Sequence, residues 1–167
     1  PGEETLQLSN LSLAADDPFG TRLKNISLSL RRGEVMGVGG VAGNGQDELL
    51  LALSGERKVD AGMVKLNGQS IGNLGPNERR ELGLLTGPEE RLGHAAAPAM
   101  SLADNAFLTG RIRKKITKNG FINHKKTDDF AKQIVADFDV RTPGIRVAAK
   151  ALSGGNLQKF VIGREVL

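Results

Sequence analysis

Residues 37–53 read GVGGVAGNGQDELLLAL. The apolar run 35–41 leads into closely spaced glycines, which give way to an apolar, helix-favouring segment. That pattern predicts strand, glycine loop, helix. Gly40 and Gly45 stand at the G-x-x-x-x-G spacing of a phosphate-binding loop, with Val41, Ala42, Gly43 and Asn44 between them. Such a loop turns successive backbone N–H groups inward, and the helix behind it presents unpaired N–H groups and a positive dipole end. Phosphate is the natural occupant.

The next residues depart from a working loop of this kind, which continues with Lys and then Ser or Thr. Here Gln46 and Asp47 follow Gly45. The ammonium that reaches the terminal phosphates is missing, as is the hydroxyl that holds magnesium. A hydrogen bond to a charged group contributes about 1.5–3 kcal/mol. Its loss weakens nucleotide binding by roughly one to two orders of magnitude. Asp47 and Glu48 also suit a helix start without any ligand. A tight glycine turn whose helix carries its own anions therefore fits the same residues.

The 167 residues suit one domain with a sizeable core. Hydrophobic residues are 39% and charged residues 25%, as in soluble globular proteins. No apolar run approaches the roughly 20 residues that cross a bilayer, and no signal peptide is visible. There is no cysteine, which excludes disulfides and Cys-ligated zinc. The 23 Lys and Arg against 19 Asp and Glu give +4, a mild excess that permits an acidic partner. Trp and Tyr are absent and Phe is scarce, which argues against a stacking platform for single-stranded nucleic acid.

Upstream of the glycine loop, Leu6, Leu8, Leu11 and Leu13 alternate with polar residues as in a half-buried strand. Residues 16–20 (DDPFG) predict a turn, and 23–30 a second strand. Downstream, Asn67-Gly68 between apolar residues is a hairpin signal. Pro76 fits the first turn of a short helix and Gly83 a place just past its end. Residues 84–86 predict a short buried strand. The texture changes after residue 92. Ser101 and Asp104 resemble a capping box with Asp for Glu. Residues 111–126 are strongly basic, with a break at Asn119-Gly120, and read as a solvated surface. Residues 127–138 predict a helix with Phe130, Ile134, Val135 and Phe138 on one face.

A second motif lies at 152–159, LSGGNLQK. Ser153 suits the cap of a helix from about Asn156 to Leu167. Gly154 and Gly155 let a phosphate approach that helix's positive end unobstructed. Alone, the motif reads better as a plain Ser-capped helix after a glycine turn. In this order, a glycine loop, Pro88-Glu89, a helical insert and Leu-Ser-Gly-Gly resemble the ATP-binding domain of ABC transporters. GVAGNGQ, PEER, MSLADN, FDVRTPG and LSGGNLQK narrow the resemblance to the second ATP-binding half of bacterial importers for simple sugars or nucleosides. Leu157 departs from that group's Leu-Ser-Gly-Gly-Asn-Gln-Gln-Lys and is expected to alter the helix surface slightly.

The resemblance implies an α/β fold: a truncated P-loop nucleotide-binding domain with an antiparallel β subdomain and a helical subdomain. It places the core with its β subdomain at 1–92, the helical subdomain at 93–144, and the signature with its helix at 145–167. Gly40, Val41, Ala42, Gly43, Asn44, Gly45, Gln46, Asp47 and Glu48 would form the phosphate loop. Phe19 would be a candidate for adenine stacking, with a packed turn residue as the other reading. Glu89 would replace the loop Gln that senses magnesium and the transport domain. Leu152, Ser153, Gly154, Gly155, Asn156 and Gln158 would form the signature, meeting ATP held by the other half. The family's magnesium Asp, catalytic Glu and switch His follow the signature, so His94 and His124 cannot serve, no catalytic residue is assigned, and a fragment is expected. ATP and Mg²⁺ are the implied ligands, weak or absent at the degenerate loop. The implied partners are the other ATP-binding half of the same polypeptide, membrane permease subunits and, indirectly, an external substrate-binding protein, with no nucleic acid. The implied location is peripheral, on the cytoplasmic face of the bacterial inner membrane. A non-hydrolysing half that supplies Ser153 in trans is an alternative. So is a soluble ABC-type protein acting on nucleic acid or ribosomes, which the basic run permits.

Overall fold

Leu6, Leu8, Leu11 and Leu13 all turn inward from a single strand, although the step from 8 to 11 breaks strict alternation. The computed structural model, which describes residues 2–16 and 18–167, gives the reason. Strand β1 (Glu4–Leu13) pairs antiparallel with β2 (Leu23–Arg31), and the register shifts between Leu8 and Leu11. Asn10 takes the shift in the left-handed region at φ 51. A bulge of this kind re-aims the side chains beyond it, so Leu11 and Leu13 rejoin the buried face. Asn25 does the same on β2, also at φ 51. Each Asn N–H is received by a serine hydroxyl across the pair, Asn10 by Ser27 at 2.9 Å and Asn25 by Ser12 at 3.0 Å. The turn expected over 16–20 includes Asp17, which lies outside the described residues, as does Pro1.

The other edge of β1 pairs with β3 (Val64–Leu66), and β4 (Gln69–Ser70) follows, giving the order β2-β1-β3-β4. Asn67 and Gly68 turn between β3 and β4 at φ 48 and 80, the tight two-residue hairpin that Asn-Gly predicts. Helix α1 (Gln46–Ser54) lays Leu49 and Ala52 into the core made by the strand leucines, Val64 and Ile71. It ends at Gly55 in the left-handed region. Helix α2 (Pro76–Glu81) starts on Pro76 as predicted, and Gly83 follows at φ 93. Its Arg79 is fully buried and donates to the carbonyls of Leu53, Gly72 and Leu74 at 2.8, 2.8 and 3.1 Å. Burial pushes the Arg79 guanidinium below its ordinary pKa. The last carbonyls of α1 thus receive a cation that α1 itself lacks.

The chain divides into two units, residues 1–84 and 85–167. The second is helical: α3 (Leu102–Gly110), α4 (His124–Asp137) and α5 (Gly154–Val166) share one core of Leu102, Ala106, Phe130, Ile134, Leu157 and Phe160 among others. Ser101 caps α3, its Oγ accepting from Asp104 N at 3.1 Å and donating to Asp104 Oδ2 at 2.6 Å. The shorter Asp therefore reaches the capping hydroxyl. Two glycines set helix spacing. A Cβ on Gly110 would lie 2.6 Å from the Phe130 ring, and one on Gly163 would lie 2.7 Å from the Phe138 ring. Between α3 and α4, the basic run forms a small hairpin, β5 (Thr117–Lys118) and β6 (Phe121–Ile122). No helix among the described residues is long and apolar enough to cross a membrane.

Two strand expectations are corrected. Residues 35–41 form no strand, and Val35 and Val41 are 97% and 76% exposed. Residues 84–86 are half-buried and irregular. A strand exists only where a neighbour takes its backbone hydrogen bonds. Both edges of β1 are occupied, and neither segment joins a ladder among the described residues.

Candidate functional site

The predicted residues fall into two groups, one in each unit. In the first unit, residues 40–45 form a succession of turns into α1, with Gly43 at φ 83 and Gly45 at φ 105 as the cap. A Cβ on Gly45 would meet Leu23 Cδ2 at 3.0 Å, so this position needs glycine for both space and dihedral angle. Thr21 Oγ1 donates to the Gly43 carbonyl at 3.0 Å and ties the loop to the chain just before β2. Sequence reasoning missed Thr21, since a lone threonine carries no spacing signal. Phe19, two residues earlier, is 99% exposed. It is not a packed turn residue.

Gln46 does not point away from the loop. Its Nε2 donates to the Val41 carbonyl at 3.0 Å, and its Oε1 accepts from the Asn44 backbone N–H at 3.1 Å. Asn44 Nδ2 donates to the same Val41 carbonyl at 3.1 Å. The carboxamide lies against Gly40, where a Cβ would meet Nε2 at 2.6 Å. The glycine loop is therefore closed on its own side chains. Its left-handed glycines suit a phosphate, yet the Asn44 N–H that would donate to one already has an acceptor. Residues 40–48 contain no cation, while Asp47 and Glu48 fill the first turn of α1. Asp47 is exposed and stands where a magnesium-binding hydroxyl is expected. Among the described residues, no group of three or more His, Cys, Asp or Glu is placed to hold a metal.

In the second unit, Ser153 occupies the cap position of α5, but its hydroxyl makes no bond to the helix backbone. Instead Asn156 Nδ2 donates to Ser153 Oγ at 2.9 Å, while Asn156 Oδ1 accepts from Arg141 N at 2.9 Å. Among the described residues, the first N–H groups of α5 are thus left without a side-chain acceptor. Nothing lies within 4 Å of a Cβ built on Gly155, so the approach to the helix start is open there. Leu152 is half-buried behind the turn. One turn on, Lys159 Nζ donates to Asp139 Oδ2 and O at 3.1 and 3.0 Å. That ammonium holds the Asp139 carboxyl below its ordinary pKa. Asn156 and Lys159 together fasten the segment 139–141 to α5. Leu157 is 2% exposed inside the helical core, so this departure fills the core and leaves the surface unchanged.

Glu89 lies in this second unit. It shares a cleft of about 210 Å³ with Gln158, Gly87, Pro88, Arg91 and Ile162. Arg91 Nη1 donates to the Gly154 carbonyl at 3.1 Å, linking the 87–91 turn to the start of α5. No spacing rule joins residues so distant in sequence. PEER and the signature thus form one connected surface.

Comparison with known proteins shows the family and the fold. Residues 23–167 match the ABC transporter family. The chain belongs to that family. It is 36% identical over 166 residues to the guanosine import ATP-binding protein NupO of Bacillus subtilis, covering 99% of this chain and 32% of that protein. It is 32% identical over 167 residues to the galactose/methyl galactoside import ATP-binding protein MglA of Clostridium tetani, covering 100% of this chain and 32% of that one. The chain therefore spans about a third of the length of the curated relatives it matches. Among solved structures, a dimeric bacterial ABC transporter cassette superposes with a TM-score of 0.71 at 17% identity, covering 96% of this chain and 68% of that one. A nucleotide-free ATP-binding cassette gives 0.68 at 21% identity, covering 98% and 65%. The α/β fold of this ABC-family chain is that of an ATP-binding cassette.

Proposed function

We propose that this chain is part of the ATP-binding subunit of an importer for a simple sugar, from the second of two ATP-binding halves in one polypeptide. The observation that carries the reading is the contrast between its two motifs. The glycine loop is closed by Gln46, with no cation and two carboxylates at its helix. The α5 start keeps free N–H groups, an exposed Ser153 and an open approach at Gly155. The chain's role is then to offer Ser153, Gly154 and Gly155 to a nucleotide held by the other half. The site over Gln46 binds Mg-ATP weakly or not at all. Residues 93–144 serve as the helical subdomain that meets the permease, and Glu89 at its entrance responds to nucleotide. The subunit works at the cytoplasmic face of the membrane.

A nucleoside cargo is the second reading. Two relatives at 36% identity carry guanosine or nucleoside import in their names. Purification of the complete subunit from membranes tests the role, with a polytopic permease as the expected companion. Recovery with RNA and no permease would overturn it. Uptake of labelled sugar against labelled nucleoside in a deletion strain separates the two cargoes.

A further inference from the structure

The sequence 111–126, RIRKKITKNGFINHKK, carries seven Lys and Arg and no Asp or Glu. The rest of the chain holds 16 Lys and Arg against 19 Asp and Glu, so this run alone turns a net −3 into the chain's +4. Two of the seven cations are engaged. Arg113 donates to the Glu165 and Arg164 carbonyls at 2.7 and 3.2 Å near the end of α5, and Lys114 sits 5.1 Å over the Phe130 ring. Arg111, Lys115, Lys118, Lys125 and Lys126 are exposed, and among the described residues none of their side chains is paired with a carboxylate.

The run is anchored at both ends by backbone hydrogen bonds. Beyond α3, Ile116 N donates to Arg111 O at 3.1 Å and Lys115 N to Ile112 O at 3.0 Å, with Lys115 at φ 48. That is a Schellman closure, and its following residue, Ile116, is fully buried. Asn123 N returns to Ile116 O at 2.8 Å, and the Asn123 side chain caps α4. Asn119 and Gly120 turn the hairpin between these anchors at φ 51 and 81. Lys118 pairs directly with Phe121, so ammonium and phenyl share one face. Phe121 is 78% exposed and Ile122 43%.

We propose that this hairpin and its flanks are a docking surface for an anionic phospholipid bilayer. Phe121 enters the boundary between headgroups and acyl chains, and the surrounding cations meet lipid phosphates. An exposed apolar tip ringed by cations that face no carboxylate among the described residues matches that interface on both counts. A nucleic-acid duplex offers the phosphates, but it takes a phenyl group only by unstacking a base step, at a cost that the headgroup boundary of a bilayer does not impose. A single strand is gripped by several stacking aromatics, and this run has one. Contact with lipid would orient the helical unit at the membrane independently of any grip on a permease. It needs no nucleotide, so its failure would leave the ATP-binding reading untouched.

Flotation of the purified chain with vesicles tests this. Binding to equal parts phosphatidylcholine and phosphatidylglycerol should exceed binding to phosphatidylcholine alone and should weaken as salt is raised. Each cation near an anionic leaflet raises binding about fivefold. The double variant Lys118→Glu with Lys125→Glu should therefore lose at least about tenfold and flatten the salt dependence. Both positions are exposed, and Glu suits the first turn of α4. Phe121→Ala should also lose about tenfold, with the salt dependence unchanged. Circular dichroism checks that each variant is folded. Equal binding to both vesicle types, or wild-type binding by the folded charge-reversal variant, would overturn the proposal. So would displacement from vesicles by a short duplex DNA at matched phosphate concentration.

Discussion

The side-chain amide of Gln46 donates to the carbonyl oxygen of Val41 at 3.0 Å, across the mouth of the glycine loop. Its oxygen occupies the Asn44 N–H at the same time. The residue at the lysine place therefore competes with a phosphate for the loop's own donor. Replacing it with a cation removes the competitor's acceptor and adds a charged donor. Gln46→Lys combined with Asp47→Ser should tighten Mg-ATP binding by roughly 10- to 100-fold, the worth of one charge-assisted hydrogen bond. Calorimetric titration of wild type and variant measures it. Sub-micromolar binding by the wild type would show that the closed loop opens at little cost, and the reading of a weak site would fail.

Gly163 shows how close α4 and α5 approach. The Phe138 ring and Ile134 Cγ2 lie 2.7 and 3.0 Å from where its Cβ would stand. Helix propensity alone favours alanine over glycine by about 1 kcal/mol. Overpacking typically costs 1–3 kcal/mol and here outweighs that gain. Gly163→Ala should therefore destabilise the helical unit by about 1 kcal/mol net, seen as a lower denaturant midpoint with an unchanged slope. Gly62 has nothing within 4 Å and a φ outside the left-handed region, and serves as the control that should not lose stability. A Gly163→Ala midpoint at or above wild type would show that Phe138 swings aside freely.

Much of this fold is legible because its signals are local. Pro76 and Ser101 mark helix starts by their own backbone chemistry, and each stands where expected. Asn67-Gly68 turns its hairpin for the same reason. The failures share a different cause. Whether 35–41 is a strand depends on a partner elsewhere in the chain, which apolar character does not reveal. The link from Arg91 to Gly154 and that from Thr21 to Gly43 join segments far apart in sequence. The serine at 153 was legible as a cap position, but Asn156 takes its hydroxyl, a choice between neighbours that composition leaves open.

Asp139 offers a check on the segment that α5 holds. The hydrogen bond from Lys159 and the attraction of its charge favour the carboxylate, so the folded pKa lies below the unfolded one. A depressed acid contributes stability that is present above its unfolded pKa and lost as pH falls through the folded value. The Asp139 carboxyl should thus titrate below the ordinary aspartate range by NMR. Lys159→Met should return it toward that range. An unchanged titration in the variant would mean that the lysine contact does not persist in solution. Both groups are solvent-exposed, so salt should weaken the shift.

The contrast between Gln46 and Ser153 makes the sharpest test in a complete transporter. In the proposed head-to-tail arrangement, this chain's glycine loop and its signature serve different nucleotides, so damage to one need not reach the other. The α5 start contributes a helix dipole, open N–H groups and the Ser153 hydroxyl to phosphate oxygens across the interface. A carboxylate there opposes the phosphate by charge and fills the space beside Gly155. Ser153→Glu should abolish ATP turnover in membrane vesicles. Gln46→Ala removes the bonds to Val41 and Asn44 but supplies no cation, so the loop gains room without gaining affinity. Most turnover should survive that change. If Gln46→Ala is as inactive as Ser153→Glu, both nucleotide sites carry the reaction, and the division of labour between the two motifs is wrong.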